Sequence, residues 1–341
     1  MEFEMKRIAV IGAGVAGLTT AWALARRGAE VTVFEQAAEL GAASCSRYAG
    51  GMLAPWCERE STDELVATLG QEALPFWQEI CTDTVANGTL VLAQRRDAAE
   101  LDRFARRTRA YDVLDSSAIA ALEPALADRF HRGLFFPGEG HTDPRRALQA
   151  LAARLREMGV QIVLRTDGLV HGTEGDLTVD CRGLAARDQL PDLRGVKGEM
   201  LLLRCPDVEL ERPVRLLHPR IPFYVVPRGD GIYMVGATMI ESDDRRRITA
   251  RSMVELLNSA HALHPAFAEA EIIEIGTDAR PAFPDNLPRI RRNGRTVFVN
   301  GLYRHGFLLS PSLSRMAAAV VLDDAYYPEV MDETEDQRRY A

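Results

Sequence analysis

The chain has 341 residues, more than one hydrophobic core usually serves, so two domains or one elaborated α/β domain is expected. Apolar residues make up 47% and charged residues 26%, which excludes a disordered or fibrous chain. A formal charge of −8 argues against a nucleic-acid partner, and no apolar run of about 18 residues offers a membrane span. Cys45, Cys57, Cys81, Cys181 and Cys205 are scattered and never spaced CxxC, so neither a disulfide framework nor a zinc knuckle is expected. The start lacks a secretory pattern, which points to the cytoplasm, and residues 1–5 read as dispensable.

Arg7–Ile11 reads as a short buried strand, Gly12-Ala-Gly14-Val-Ala-Gly17 as a tight turn, and Leu18, Ala21, Trp22 and Ala25 recur at helical spacing. Arg26 and Arg27 suit a helix C-terminus, Gly28 its left-handed cap, and residues 31–34 resume as a strand ending at Glu35. Further on, Asp143-Pro144 opens a helix with Leu148, Leu151, Ala152 and Leu155 on one face, and Gly159 stops it. Residues 160–164 read as a buried strand. From Gly198 onward the runs 199–204, 214–218, 223–226 and 232–236 predict an antiparallel sheet, with a turn at Arg228-Gly-Asp-Gly231. Residues 251–263 are helical by pattern, and 296–300 form a last strand feeding a Gly-rich turn and a helix after Pro311.

The fold class expected is α/β. A Rossmann-like dinucleotide-binding domain is assembled from segments 1–78, 140–190 and 277–331, with an inserted α+β domain built on an antiparallel sheet from 79–139 and 191–276. Residues 332–341 read as a charged, disordered tail.

Gly12-x-Gly14-x-x-Gly17 alone is weak, but here it follows a strand, opens a helix and precedes Glu35 by the usual spacing. Gly12 permits the tight turn, Gly14 the approach of a pyrophosphate, and Gly17 close helix packing, while Glu35 can accept ribose hydroxyls. A carboxylate there disfavours NADP but does not separate FAD from NAD. Residues 41–55 form a run of small side chains with room for an extended cofactor; by composition they are equally a surface loop. His261 and His264, followed by Pro265, read as a helix end rather than a metal site.

The fingerprint, together with Gly50-Gly51-Met52-Leu53-Ala54-Pro55, resembles the D-amino acid oxidase superfamily of flavoproteins, and within it the glycine oxidases of thiamine biosynthesis. The resemblance extends through Tyr224-Val-Val-Pro227-Arg228, Thr238-Met239, Ala279-Arg280-Pro281 and Gly301-Leu-Tyr-Arg304-His-Gly306-Phe-Leu-Leu-Ser310-Pro311. It implies that Arg304 and Arg280 bind a substrate carboxylate, with Tyr224 orienting it and Met239 walling the pocket. Arginine suits that task because its planar fork pairs bidentately with carboxylates.

The cofactor implied is FAD, contacted by Gly12, Gly14, Val15, Ala16, Gly17, Glu35 and Gln36, and by Cys45, Ser46, Arg47, Gly50, Gly51 and Met52. Gly168, Gly183 and the turn Leu302, Tyr303, Arg304, His305, Gly306, Phe307 and Leu308 complete the set. Attachment is expected to be noncovalent, because no Cys follows Cys205 and no His precedes His131. Substrates implied are glycine and sarcosine, with dioxygen as electron acceptor and hydrogen peroxide as a product. Homo-oligomerisation is left open. A quinone-linked D-amino acid dehydrogenase, a sarcosine oxidase and a catalytically inert dinucleotide-binding sensor are the alternatives. Two departures from the family pattern are Pro222, close to Tyr224, and Arg182-Gly183 at the second dinucleotide contact, where the arginine faces either pyrophosphate or solvent.

Overall fold

The computed structural model describes residues 6–171, 175–219 and 222–332. The first strand, Arg7–Ile11, is buried beyond its opening arginine, and the glycine turn sends the chain into the helix Val15–Ala25. Gly28, at φ 85°, ends that excursion in the left-handed region that glycine adopts without strain. The return strand Glu30–Glu35 pairs in parallel with the first, from Arg7 opposite Glu30 to Ile11 opposite Phe34. In spatial order the six-stranded sheet runs Arg289–Asn293, Thr296–Asn300, Leu177–Asp180, Arg7–Ile11, Glu30–Glu35, Gln161–Leu164. Only the Arg289–Asn293 strand is antiparallel to its neighbour.

The Asp143 carboxylate caps the helix Pro144–Glu157 by accepting the N–H groups of Arg145 at 2.8 Å and Arg146 at 3.2 Å. Leu148, Leu151, Ala152 and Leu155 are buried as their spacing requires. The strand that follows differs from expectation. It is the sheet's outermost strand, so its residues are exposed or half-buried rather than enclosed.

The second sheet has nine strands. The expected run at 199–204 is the end of a longer strand, Arg194–Arg204, and Val214–Leu217, Phe223–Pro227 and Ile232–Gly236 are in place. Three strands without a clear sequence signal, Thr89–Ala93, Asp112–Asp115 and Arg132–Phe136, extend its far side. Val214–Leu217 pairs in parallel with Thr89–Ala93, so the sheet is mixed rather than purely antiparallel.

Alternation along the strands divides the two faces of this sheet. Leu201, Leu203, Phe223, Val225 and Val235 share a core with Leu256 and Ala260 of the helix Ala250–Leu263. Met200, Tyr224, Val226 and Met234 cluster on the opposite face. The long strand Glu271–Ala282 runs antiparallel to Arg194–Arg204, with Arg280 opposite Val196. Arg280 is thus a residue within a strand, held by its ladder.

The last helix was expected to follow Pro311, yet it spans Gly306–Asp323 with Pro311 inside. An internal proline deprives the carbonyl four residues earlier of its N–H donor, at a cost of about 3 kcal/mol or more. Here that carbonyl belongs to Phe307, and the buried Trp77 indole donates to it at 2.8 Å. A side chain remote in sequence replaces the missing donor, and the helix N-terminus moves back to Gly306.

At the C-terminal end, Asp332 pairs with Arg291 at 2.6 Å and Arg289 at 3.4 Å, so the expected tail is anchored at its first residue. The remainder of that tail and residues 1–5 lie outside the described residues. All five cysteines are free thiols. Among the described residues no helix is long and apolar enough to cross a membrane.

Trp77→Phe keeps the aromatic bulk but leaves the Phe307 carbonyl buried and unpaired, a loss of about 1–3 kcal/mol. Its urea-unfolding midpoint, measured with saturating flavin nucleotide, should fall below that of the wild type. Adding Pro311→Ala returns a backbone N–H to the same carbonyl and should recover part of the loss. A midpoint unchanged by Trp77→Phe would refute the substitution of donors.

Candidate functional site

Three parallel strands of the first sheet end side by side, at Ile11, Asp180 and Asn300. A cavity of about 310 Å³ runs along these carboxyl ends, and the second sheet closes its other side. This is where open α/β sheets place their ligands.

At one end lies the glycine turn. Gly12 has φ 98°, and a Cβ on it would come within 2.8 Å of the Cys181 carbonyl oxygen. A Cβ on Gly17 would sit 1.8 Å from the Gly12 carbonyl oxygen, so Gly17 serves helix packing and does not line the cavity. Gly14 begins the helix and has no side chain to cap it, no acidic residue occupies the first turn, and the Val15 N–H donates to Ser46 Oγ at 3.2 Å. The positive end of the helix dipole, with Val15 and Ala16, therefore borders the cavity. The Glu35 carboxylate accepts the Ala13 and Ala37 N–H groups, each at 2.9 Å on a different oxygen. Each oxygen retains a lone pair for a further donor. Gln36, Gly168 and Gly183 line the same stretch. These features fit a dinucleotide with a free ribose.

The segment 41–55 is not a surface loop. Ser44 caps a short 3₁₀ turn, Cys45–Tyr48, and Ser44, Cys45, Ser46 and Gly50 line the cavity. Arg47 is not among the lining residues, and its carbonyl accepts Arg145 Nε–H at 3.3 Å. Gly51 and Met52 border instead a smaller adjoining chamber of about 60 Å³. Burial, reinforced by Asp278, pushes the Cys45 thiol up to about 12, so it stays protonated.

A further stretch of the wall is made by the turn after Asn300. Leu302, Tyr303, Arg304, Gly306 and Phe307 border the large cavity, while His305 and Leu308 reach only the small chamber. Tyr303 has φ 51°, a conformation that costs a bulky residue about 1–3 kcal/mol. It is held there by its N–H donating to the Pro281 carbonyl at 3.0 Å and its hydroxyl reaching the Met239 sulfur at 3.3 Å. The helix that follows has no side-chain cap and no acid in its first turn. Two helix N-termini thus border one cavity close together, since a Cβ on Gly306 would come within 3.1 Å of the Val15 side chain.

The expected substrate residues converge here but differ in their partners. Arg280, Arg304 and Tyr224 line both the cavity and the chamber, and Met239 lines the chamber. Arg280 Nη1 donates to the Thr238 carbonyl at 3.1 Å and has no ion-pair partner among the described residues. Arg304, expected to present its fork to a substrate, is already engaged. It pairs with Glu58 at 2.8 Å and donates to Ser61 Oγ at 2.6 Å. Tyr224 is half-buried against Gly50, where a Cβ would come within 2.8 Å of its ring, and desolvation pushes its phenol upward. Pro222 is part of the chamber wall.

Sequence reading missed Glu58 and Arg215. Glu58 lies on the short helix Pro55–Arg59, just past the recognised small-residue run, and pairs with Arg215 at 3.1 Å. Burial alone would raise the Glu58 carboxyl, but Arg304 and Arg215 outweigh it and hold it down at about 2. The one available signal was a charged residue, Arg215, between Val214 and Leu216 in an apolar strand. His305 is pushed down to about 3, chiefly by burial, and is neutral. Arg182 lines the large cavity with its guanidinium already paired, to Asp180 at 2.8 Å and Asp188 at 2.9 Å. His264 caps a 3₁₀ turn through Nδ1, which accepts the Ala266 N–H at 3.2 Å, in keeping with a helix end.

A family model described as FAD dependent oxidoreductase matches residues 7–320. The chain is 56% identical to a Rhizobium etli oxidoreductase assigned by name to thiamine biosynthesis as ThiO, over 95% of this chain and 98% of that one. It is 26% identical to a glycine oxidase of Bacillus licheniformis over 97% of each chain. The crystal structure of glycine oxidase from Geobacillus kaustophilus superposes with a TM-score of 0.79 at 24% identity, covering 95% of this chain and 96% of that one.

Glu35→Lys removes an acceptor serving the ribose and adds a like-charge clash with Ala13 and Ala37 N–H groups. Loss of one charge-assisted hydrogen bond of about 1.5–3 kcal/mol should weaken FAD at least about tenfold. Calorimetric titration of FAD into the apoprotein measures it, and equal affinity in both proteins would refute the assignment.

Proposed function

Because the chain belongs to the DAO family of FAD-dependent oxidoreductases, we propose that it oxidises glycine and other small amines bearing one carboxylate, such as sarcosine. Dioxygen is the acceptor, and the balanced reaction takes glycine, water and dioxygen to glyoxylate, ammonia and hydrogen peroxide. The observation that carries this reading is Arg280, an arginine without an ion pair, beside Tyr224 on a chamber of about 60 Å³. At about 10–15 Å³ per enclosed water, such a chamber suits a solute of about four to six heavy atoms. The names borne by the Rhizobium and Bacillus relatives agree with this chemistry, and the first suggests service in thiamine biosynthesis.

Segments 1–78, 140–190 and 277–331 hold the cofactor in this reading, and 79–139 with 191–276 shape the substrate side. Bound FAD supplies a two-electron acceptor for the hydrogen leaving the substrate carbon. Gly12, Gly14 and the first turn of Val15–Ala25 accommodate its pyrophosphate, and Glu35 its ribose. Residues 302–307 and the N-terminus of the last helix offer positive potential to its other end. FAD is held noncovalently, and the enzyme works in the cytoplasm.

Arg280 fixes the substrate carboxylate through its fork, and the Tyr224 hydroxyl adds a donor. Met239, Pro222 and Leu308 narrow the chamber and exclude water. No side chain lining the chamber is suited to take a proton from carbon or from the amine: burial holds the His305 imidazole down at about 3, a weak base, and Glu58 is occupied by two arginines. The amine therefore binds already neutral, and the protein acts by orientation and electrostatics.

Arg280→Ala should lower kcat/KM for glycine at least about 30-fold, the equivalent of about 2 kcal/mol. An amine without a carboxylate should lose far less, and Arg280→Lys should restore only part, lacking the bidentate fork. Oxygen uptake on both substrates, with flavin content as control, tests this. Equal losses on both, or none on glycine, would remove Arg280 from the role of anchor. Acid precipitation of the wild type should release the yellow chromophore into the supernatant, whereas a flavin that stays with the pellet would refute noncovalent attachment.

A further inference from the structure

Three arginines reach the same small chamber, yet only Arg280 is without an ion pair among the described residues. Glu58 makes the difference. Its Oε2 lies 2.8 Å from Arg304 Nη2 and its Oε1 3.1 Å from Arg215 Nη1, so one carboxylate serves two guanidinium groups. Glu58 and Arg304 side chains are only 13% and 16% exposed, which places the pair largely out of water, where an unpaired charge is costly. Arg304 Nη2 also donates to Ser61 Oγ at 2.6 Å and Nη1 to the Met239 sulfur at 3.3 Å, while Nε is buried without a hydrogen-bond partner. With the carboxyl held at about 2, Glu58 is ionised across any assay range.

We propose that Glu58 is a specificity-determining residue that withholds Arg304 from the substrate and restricts the site to ligands with a single negative group. The inference rests on the oxidase reading above and deepens it. A first carboxylate takes Arg280, which has no competing ion pair. A second would have to displace Glu58 from Arg304 or lie against it as a like charge, and discrimination of this kind comes from the repulsive element as much as the attractive one. Pro222 and Met239, also in the chamber wall, offer a second anion no compensating cation.

The test uses the flavin-loaded protein and non-reacting acids, so binding is read without turnover. Acetate, malonate and succinate are titrated calorimetrically into wild type, Glu58→Gln and Glu58→Asp, with flavin absorbance and circular dichroism as checks on folding. Wild type should bind neither diacid more tightly than acetate. Glu58→Gln should tighten at least one diacid about tenfold or more while acetate changes less than about threefold. Glu58→Asp, which keeps the charge of the cluster but shortens its reach, should show a smaller gain of the same sign and suffices should the glutamine variant fail to fold. The gain should vanish when Arg304→Leu is added. An unchanged diacid-to-acetate ratio in the folded variants, or a gain that survives Arg304→Leu, overturns the proposal while glycine oxidation by the wild type stands. A wild type that neither binds acetate nor consumes oxygen with glycine overturns both.

Discussion

The hydrogen bond from the Tyr303 N–H to the Pro281 carbonyl joins the two segments on which the site is built. One is the long strand Glu271–Ala282, whose pairing with Arg194–Arg204 fixes Arg280 in register opposite Val196. The other is the turn after Asn300, where Gly301 at φ 76° and Tyr303 at φ 51° bend the chain toward the cavity. Glycine takes that geometry freely and tyrosine does not, so the bond to Pro281 holds a conformation the turn would otherwise relax. Arg304 follows immediately, and the last helix begins two residues later at Gly306. One backbone contact thus sets the separation of two guanidinium groups and the aim of a helix N-terminus.

Charge in this region is arranged by burial. Three arginines, Arg215, Arg280 and Arg304, border the small chamber with one ionised carboxylate, Glu58. His305 is kept neutral and Cys45 protonated by the same desolvation, so neither offsets or adds to the balance. The excess is positive, and it is concentrated on Arg280 because Glu58 serves the other two. In the proposed reaction a substrate carboxylate supplies the counter-charge. Along the glycine turn the sign is managed differently: Glu35 is tied down by two backbone N–H groups, and the helix dipole supplies positive potential without a cationic side chain.

Much of this was legible because its causes are local. Gly12, Gly14 and Gly17 follow a strand and open a helix; Gly17 is required by the turn itself and Gly12 by the end of the adjacent strand, while a Cβ on Gly14 would meet the Ser44 hydroxyl. Asp143-Pro144 caps a helix whose apolar face is written at 3.6-residue spacing. The two faces of Phe223–Pro227 follow from period-two alternation, which already puts Tyr224 opposite Phe223 and Val225. Arg280, Arg304 and Tyr224 were legible only through resemblance to a known family, since nothing in their neighbours' spacing singles them out among 41 basic residues and several tyrosines.

What the amino-acid order determined by itself, then, was the set of elements whose signals are short-range: the dinucleotide turn, its acidic partner Glu35, the capped helices and the alternating strands. Tertiary structure decided the rest, because the deciding partner lies far along the chain. Pro311 reads as a helix start until the Trp77 indole supplies the donor that Phe307 lacks. Residues 160–164 read as buried until the sheet order leaves them at its edge. Arg304 reads as a free fork until the fold brings Glu58 against it. Local backbone preferences act over a few residues, whereas hydrogen-bond satisfaction and charge pairing in a desolvated interior are settled only when distant segments meet.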